Sequence, residues 1–219
     1  MLVAFSDAHL TPRFDQKKFN YLFNLIKGAD RVVIVGDWWD GHRCSFDQFV
    51  RSRWQDLFPL LKSKGTIYIY GNHDLREWCD ARVEQFSIRQ TDELDLEFGT
   101  FKLHFEHGHR IAPDLITQNP ELLRIPYLGF ADHFFLEVFL TGLFGERWIN
   151  YRSRSCVQLL KSRAREFAAV GRWLICGHSH VAELDPAIKY VNCGFVGSGR
   201  IQYLHIDNNY SIGVVKARY

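Results

Sequence analysis

Short apolar runs alternate with longer amphipathic segments over the first 90 residues of the chain. The apolar runs at residues 2–5, 31–35 and 66–70 predict three buried strands. Apolar side chains recur at helical spacing over residues 15–27 and 47–64, and a glycine follows each segment, so two helices are predicted there. This alternation is typical of an α/β sheet, in which ligands bind beyond the carboxyl ends of the strands.

The pattern changes after residue 90. Residues 94–98 and 100–106 alternate around a glycine like the two arms of a hairpin, and residues 173–176 predict another buried strand. Closing antiparallel strands are predicted at residues 188–191, 201–206 and 210–215, with Asn208-Asn209 as a turn. Residues 112–172 are predicted to be mostly helical. We therefore expect one domain over residues 1–219, with residues 112–172 (the insert) as a helical cap within it.

Composition adds limits to this picture. The 219 residues are 47% hydrophobic, which suits one globular domain with a sizeable core. Lys and Arg number 27 against 25 Asp and Glu, so the net charge of +2 lacks the global basic excess of a dedicated nucleic-acid coat. The five cysteines are scattered without a CxxC pair, which argues against a disulfide framework or zinc ribbon and favours a reducing compartment.

The sequence pattern predicts neither a secretory signal nor a membrane span. The apolar run at the amino terminus is too short for a secretory signal and runs directly into Asp7. The most apolar stretch, residues 128–143, contains Asp132, His133 and Glu137, so a transmembrane span is not expected. The expected location is the cytoplasm.

Five short segments rich in metal-ligand residue types follow one another along the chain, and most of them directly follow an apolar run. They are Asp7-Ala8-His9, Gly36-Asp37-Trp38-Trp39-Asp40, Gly71-Asn72-His73-Asp74, His107-Gly108-His109 and Gly177-His178-Ser179-His180. Asp, Asn and His together suit a divalent transition metal, and no cysteine belongs to the set. A single histidine of this kind is more often an ordinary polar residue at a strand end, whereas the ordered set predicts a two-metal hydrolytic site.

The ordered set resembles the calcineurin-like metallophosphoesterase superfamily, whose pattern is DxH, GDxxD, GNH followed by D or E, HG, and GHxH. Every position of that pattern is filled between Asp7 and His180. The resemblance implies an α/β fold in the form of a four-layer α/β/β/α sandwich of mixed sheets, with the helical insert over the metal site.

The resemblance also implies a ligand set for two divalent ions. One ion would take Asp7, His9, Asp37 and His180, and the other would take Asp37, Asn72, His107 and His178. Asp37 would thus bridge the ions, which need a shared anion when they lie about 3.5–4 Å apart. A water between the ions would be acidified toward hydroxide and attack phosphorus. Manganese is the expected metal, while Fe, Zn²⁺, Co²⁺ and Ni²⁺ suit the same ligands.

His73 would be the catalytic histidine by the same resemblance, because it would reach the phosphate and help the leaving oxygen depart. Asp40 would hold the His73 ring in one tautomer and raise its basicity. Asp74 and His109 have two possible roles that the sequence does not separate. They could cap a turn or support a ligand, or they could take part in catalysis. The predicted reaction is hydrolysis of a phosphoester or pyrophosphate bond.

The insert bears on the substrate. Residues 128–145 are apolar nearly all around a helix, and residues 147–172 hold seven bases against Glu166 alone. An apolar helix and a basic helix over the metals would suit an amphiphilic phosphorylated substrate. Candidate substrate-binding residues are Arg43, Arg147, Arg152 and Arg154.

The insert is similar to that of the UDP-2,3-diacylglucosamine hydrolase branch, which acts on a nucleotide-sugar lipid. This chain departs from that branch at His73, where the branch has Arg, and at His109, where the branch has Asp. The apolar segment at residues 128–145 has three further interpretations. It could contact a membrane surface, form a homo-oligomer interface, or simply pack on the sheet.

Three alternatives stay open. A metal-dependent nuclease would use the same basic residues on a nucleic-acid strand, and a small-molecule phosphodiesterase would use them on a smaller anion. A scaffold of the same fold would bind proteins without catalysis, but it would be expected to lack ligands or the catalytic histidine, and none is missing here.

Overall fold

Two mixed β-sheets pack face to face in the computed structural model, which describes residues 1–113 and 141–219. The described helices are α1 (Gln16–Gly28), α2 (Phe46–Val50), α3 (Phe58–Ser63), α4 (Thr141–Phe144), α5 (Glu146–Arg152) and α6 (Arg154–Ala169). The described strands are β1 (Leu2–Phe5), β2 (Arg31–Val35), β3 (Ile67–Ile69), β4 (Arg89–Thr91), β5 (Glu93–Phe98), β6 (Phe101–Glu106), β7 (Trp173–Cys176), β8 (Glu183–Asp185), β9 (Tyr190–Asn192), β10 (Val196–Gly197), β11 (Arg200–Ile206) and β12 (Ile212–Arg218).

The first sheet joins the start and the end of the chain. Strands β1, β2, β3 and β4 are parallel neighbours, and β11 pairs antiparallel with β1, β10 and β12. Strands β1 and β2 are buried along nearly their whole length, as expected of parallel strands covered on both faces.

The second sheet has the order β5-β6-β7-β9-β8. Strands β6, β7 and β9 are parallel, and β5 forms an antiparallel hairpin with β6. The carboxyl ends of β6 and β7 therefore point the same way, as do those of β1, β2 and β3 in the first sheet.

Three apolar cores separate four layers. One core lies between the first sheet and helices α1 to α3, a second between the two sheets, and a third between the second sheet and α6. Leu22 of α1, Ile175 of β7 and Leu160 of α6 are fully buried members of the three cores. The predicted α/β/β/α layering of mixed sheets is confirmed.

The predicted helix over residues 47–64 is wrong as a single element. Helices α2 and α3 are separated by a 3₁₀ helix, Arg53–Leu57, and Pro59 lies at the start of α3. A proline suits the first turn of a helix and not its interior, so the chain begins a new helix at this position. The predicted strand over residues 188–191 begins later than expected, because Ile188 ends a 3₁₀ turn and the strand that follows is β9.

The insert is described in part. Helices α4, α5 and α6 form its second half, and α6 packs on β7. Most of the apolar segment at residues 128–145 lies outside the described residues. Leu143 and Phe144, at its end, are exposed. A cap over the metal site stays a prediction.

Candidate metal centre

The predicted metal ligands lie at the carboxyl ends of strands from both sheets. They follow β1 (Asp7, His9), β2 (Asp37), β3 (Asn72), β6 (His107) and β7 (His178, His180). Contacts from Asp7 to His180 and from Asp37 to His107, 3.2 and 3.3 Å long, join the two sheets at this edge.

The backbone of these loops is unusual. Five predicted ligands have a positive φ between 44° and 65°: Asp7, His9, Asp37, His178 and His180. Residues with a Cβ rarely adopt this left-handed conformation, and it persists where surrounding contacts enforce it, often at functional sites. The strained turns direct several polar side chains from separate strands toward one point.

One group of donor atoms comprises Asp7, His9 and His180. The Nε2 atoms of the two histidines lie 3.4 Å apart, and Nε2 of His180 lies 3.2 Å from Oδ1 of Asp7. Oδ2 of Asp37 is 3.7 Å from Nε2 of His9. Ligands about 2.1 Å from one ion and about 90–109° apart are separated by about 3.0–3.4 Å, so this spacing is close to that of a metal site.

A second group comprises Asp37, Asn72 and His107. Nε2 of His107 lies 3.0 Å from Oδ1 of Asn72 and 3.3 Å from Oδ2 of Asp37. Nδ1 of His107 lies 2.8 Å from the carbonyl oxygen of Val35, to which it donates its proton. Nε2 therefore faces two oxygen acceptors, and a bound cation would take the place of the Nε2 proton between them.

His178 has a different orientation. Its Nε2 lies 3.0 Å from the carbonyl oxygen of Ala112, and its backbone N–H donates to Oδ2 of Asp7 at 3.0 Å. Ligation of a metal by His178 would therefore use Nδ1. The His178 ring centroid is 5.3 Å from that of His107.

Three further features fit the residues to divalent ions. Oδ1 of Asp7 is buried beside the His180 ring but accepts no well-aligned hydrogen bond. A Cβ added at Gly71 would lie 2.1 Å from Oδ1 of Asp37, and one at Gly177 would lie 2.4 Å from Oδ2 of Asp7. Both carboxylates are therefore held against backbone that only glycine permits. The donor set of carboxylate, amide oxygen and imidazole completes the fit.

Charge strongly couples the buried groups. Burial would raise the pKa of Asp37, but the rings of His107, His73 and His9 outweigh it and hold the pKa well below its usual value. Burial would lower the pKa of His107, whereas the carboxylates of Asp37 and Asp7 raise it to about 10. The pocket thus keeps its carboxylates ionised by gathering positive charge beside them.

His73 lies beside these groups with Asp40 behind it. Nδ1 of His73 is 3.3 Å from Oδ1 of Asp40, and the backbone N–H of His73 donates to Oδ1 of Asp37 at 2.8 Å. Burial would raise the pKa of Asp40, but the hydrogen bond and charge of His73 lower it. The structure therefore brings together the histidine and carboxylate that the sequence pairs.

Asp74 organises the loops rather than facing the donor atoms. Its carboxylate is fully buried and accepts hydrogen bonds from the backbone N–H groups of Asp37, Trp38 and Gly71 and from the Tyr68 hydroxyl, at 2.6–3.0 Å. These bonds fasten the loop after β2 to the loop after β3. Burial and the charge of Asp37 raise the pKa of Asp74 to about 7.

Two further histidines adjoin the site. His42 is 8% exposed, packs on the His73 ring at 4.3 Å, and has no hydrogen-bond partner for either ring nitrogen among the described residues. Burial lowers the pKa of His42 to about 4, so its ring is neutral. His109 packs on His107 at 5.4 Å. Only the nearness of His42 to Asp40 in the sequence hinted at its position.

Residues 2–182 match the calcineurin-like phosphoesterase family. The chain belongs to that family. Its two mixed sheets and flanking helices form the calcineurin-like fold, and its Asp and His groups could bind metal.

Several solved structures are similar to this calcineurin-like phosphoesterase. An archaeal phosphodiesterase has 16% identity, a TM-score of 0.49 and coverage of 99% of both chains. YfcE, a phosphoesterase from E. coli, has 19% identity and a TM-score of 0.47, with 98% of this chain and 97% of the other covered. Wild-type Vps29 from Entamoeba histolytica in complex with Zn²⁺ has 14% identity and a TM-score of 0.46, with 99% and 98% covered. No curated protein sequence matches this chain.

The candidate substrate-binding arginines of this family member lie in different places. Arg43 and Arg152 line a cavity of 680 Å³ that also touches Asp7, His9 and His180. Arg154 lines a neighbouring cavity of 470 Å³, and Arg147 is not among the described residues of either cavity.

Helices α5 and α6 are fastened beside the predicted metal ligands. They meet at Ser153, whose hydroxyl donates to the carbonyl oxygen of Ser179 at 2.6 Å. None of the helices in the described parts of the chain is both long enough and apolar enough to cross a bilayer.

Proposed function

We propose that this chain is a binuclear metal-dependent phosphoesterase that hydrolyses a phosphoester or pyrophosphate bond. The observation that carries the proposal is the convergence of two donor groups on Asp37, whose Oδ2 lies near His9 in one group and His107 in the other. Manganese is the first choice of metal, with Fe, Zn²⁺, Co²⁺ and Ni²⁺ as alternatives for the same ligands.

The ions would be held by Asp7, His9, Asp37 and His180 on one side and by Asp37, Asn72, His107 and His178 on the other. Bound ions would polarise phosphate oxygens and lower the pKa of a water between them. The protein orients its own groups for this chemistry. Val35 fixes the tautomer of His107, and the loops held by Asp74 position Asp37.

His73 would donate a proton to the leaving oxygen. With Nδ1 directed to Asp40, the proton would be transferred from Nε2, and the Asp40 carboxylate would stabilise the charged ring before the transfer. The His42 ring packed on His73 limits the orientations that the His73 ring can take.

Arg43 and Arg152 would contact the substrate, because they line the cavity that opens beside Asp7 and His180. The nuclease and small-molecule phosphodiesterase alternatives share this site and differ in the size of the substrate. A nucleotide-sugar lipid remains a candidate substrate.

The deciding experiment compares Asp37→Asn with Asp40→Asn, two substitutions in the same loop that each replace a carboxylate with an uncharged amide. Asp37→Asn is expected to lose bound metal and hydrolysis together, while Asp40→Asn keeps its metal and loses rate. Metal content is measured by elemental analysis, and hydrolysis by p-nitrophenyl phosphate and bis(p-nitrophenyl) phosphate with added Mn²⁺. Full activity in Asp37→Asn would contradict the two-metal assignment, and a metal-loaded wild type that hydrolyses no phosphate ester would favour the scaffold alternative.

A further inference from the structure

A cavity of 680 Å³ extends from the metal ligands Asp7, His9 and His180. Its walls come from the loop after β1, the start of α1, the end of α5 and the loop around β10. A volume of this size suits a small organic ligand, and it exceeds what a single phosphate group occupies. The cavity therefore has room for a part of the substrate beyond the bond that is cleaved.

Positive charge converges on this cavity from separate parts of the fold. Its basic lining residues are Arg13, Lys17, Lys18, Arg43 and Arg152. Arg43 lies 3.7 Å from Asp40, and within the described chain the other four form no ion pair. Asp15 also lines the cavity, but its Oδ1 accepts hydrogen bonds from the backbone N–H groups of Lys17 and Lys18 as the cap of α1.

Lys18 is the most unusual of these cations. It is 8% exposed, and its Nζ lies 2.5 Å from the carbonyl oxygen of Ala8, the residue between ligands Asp7 and His9. A buried ammonium group without a carboxylate in contact is costly, and an anion in the cavity would offset that cost. Burial lowers the pKa of Lys18 to about 7, in keeping with this environment.

The neighbouring cavity of 470 Å³ differs in how its basic residues are paired. Its lining includes Lys161, which pairs with Glu183 at 2.5 Å and Asp185 at 3.6 Å. Ile149, His180 and Phe195 line both cavities and so lie between them. Among the residues described, the cavity beside Asp7 is lined by four cations without a carboxylate partner, whereas the neighbouring cavity is lined by two, Arg154 and Lys216.

Aromatic side chains also line this cavity. Phe14 and Trp54 pack on each other at 4.9 Å, and Phe195 stacks on His180 at 5.6 Å and 26°. Trp148 lines the same cavity from α5. Flat rings pack well on such aromatic faces, so the cavity combines sites for an anion and for a planar group.

We propose that this cavity binds a second phosphate and a planar ring of the substrate, so that the preferred substrates are nucleotide-like phosphodiesters with an additional phosphate group. The inference rests on the proposed function, because the metal centre defines which phosphate is cleaved. It excludes simple phosphomonoesters as the preferred class.

The test uses two substrates that differ by one phosphate. These are the p-nitrophenyl ester of thymidine 5′-monophosphate and the same ester carrying a 3′-phosphate. With the Mn²⁺-loaded enzyme, the 3′-phosphate is expected to raise kcat/KM by about tenfold or more, the effect of one added charge-assisted hydrogen-bonding group. Inhibition by thymidine 3′,5′-bisphosphate should exceed inhibition by thymidine 5′-monophosphate by a similar factor.

Matched arginine variants locate the effect. Arg13→Gln and Arg152→Gln, both at exposed positions, should lose most of the advantage of the 3′-phosphate. Arg154→Gln, two residues away from Arg152 and facing the other cavity, should retain it.

The outcomes are distinguishable. Equal kcat/KM for the two esters in the wild type would overturn the second-phosphate site and leave the proposed function standing. Hydrolysis of no phosphate ester or pyrophosphate with any divalent metal would overturn the proposed function itself. A single-stranded oligothymidylate cleaved with a higher kcat/KM than either ester would replace the small substrate with a nucleic-acid strand.

Discussion

At the scale of single residues, the candidate site depends on side chains held by backbone that few residue types tolerate. Asp7 and Asp37 both have a φ of 53°, and Gly177 and Gly71 approach their carboxylates so closely that a Cβ would overlap them. Ligand orientation is therefore built into the loops before any ion binds, which reduces the ordering cost of metal binding.

Gly71→Ala is expected to weaken metal binding by about 10–100-fold, the usual effect of disturbing a group that orients a ligand. The added Cβ would lie 2.1 Å from Oδ1 of Asp37 and displace that carboxylate. Gly28→Ala, at the end of α1, is the control, because a Cβ added there would meet no atom within 4 Å. Isothermal titration with Mn²⁺ measures both, and equal affinities would contradict the role of Gly71.

His73→Ala is expected to keep its bound metal and to slow turnover by about 10²–10⁴-fold, the usual contribution of a general acid. The loss should be smaller for esters of p-nitrophenol, whose leaving oxygen needs little protonation, than for esters of simple alcohols. Steady-state kinetics on both types of ester measure the difference. Unchanged turnover on both would remove His73 from the reaction.

At the scale of elements, His104 is held by carboxylates of the β5 and β6 hairpin and connects this hairpin to α6 by ring stacking. Nδ1 of His104 lies 2.7 Å from Asp95, its Nε2 lies 3.3 Å from Glu106, and its ring stacks on Phe167 at 4.3 Å. Arg172, at the end of the turn after α6, also pairs with Asp95. Charge on His104 thus contributes to holding the strand that carries His107.

The contacts of His104 with Asp95 and Glu106 predict that the stability of the protein depends on pH. Burial would lower the pKa of His104, but hydrogen bonds and charges from Glu106 and Asp95 outweigh it and raise the pKa above its usual value of 6.5. A raised folded-state pKa adds stability below about pH 6.5 that is lost as the pH rises through the folded-state pKa. The free energy of unfolding of wild type should therefore fall relative to His104→Gln over that rise. Urea unfolding at several pH values measures it, and a constant difference would contradict the prediction.

At the scale of the whole molecule, the proposed metal centre lies where both sheets end, so metal binding should stabilise the entire domain. The proposed ligands follow five strands, and β1 and β2 are central in the first sheet. Ions that bind only the folded chain raise its stability by mass action.

Mn²⁺ at about 100 times its Kd should stabilise the protein by about 2.7 kcal/mol per site, which raises Tm by about 5–10 °C. EDTA should reverse the rise. Asp37→Asn should lose most of it, whereas Asp40→Asn should retain it. Thermal unfolding followed by circular dichroism measures each case, and a metal-independent Tm in wild type would contradict a metal centre shared by both sheets.

Much of this architecture could be predicted because its signals are local. Buried parallel strands form continuous apolar runs, as at residues 31–35, and Asp15 marks the start of α1 as its cap. The predicted helix over residues 47–64 failed because Pro59 begins a new helix and the 3₁₀ segment between depends on packing around Trp54.

The sequence by itself determined which residues are candidates to hold metal and which apolar runs they follow, since ligand chemistry and apolar periodicity are properties of residue types and spacing. Only the tertiary structure decided which basic side chains line the cavity beside Asp7. Lys18 is an ordinary first-turn lysine in the sequence, and it is buried because α1 packs against the loop of Ala8. Arg152 and Arg154 are equal candidates along the chain, and only the position of α5 and α6 beside the two cavities decided that Arg152 lines one and Arg154 the other.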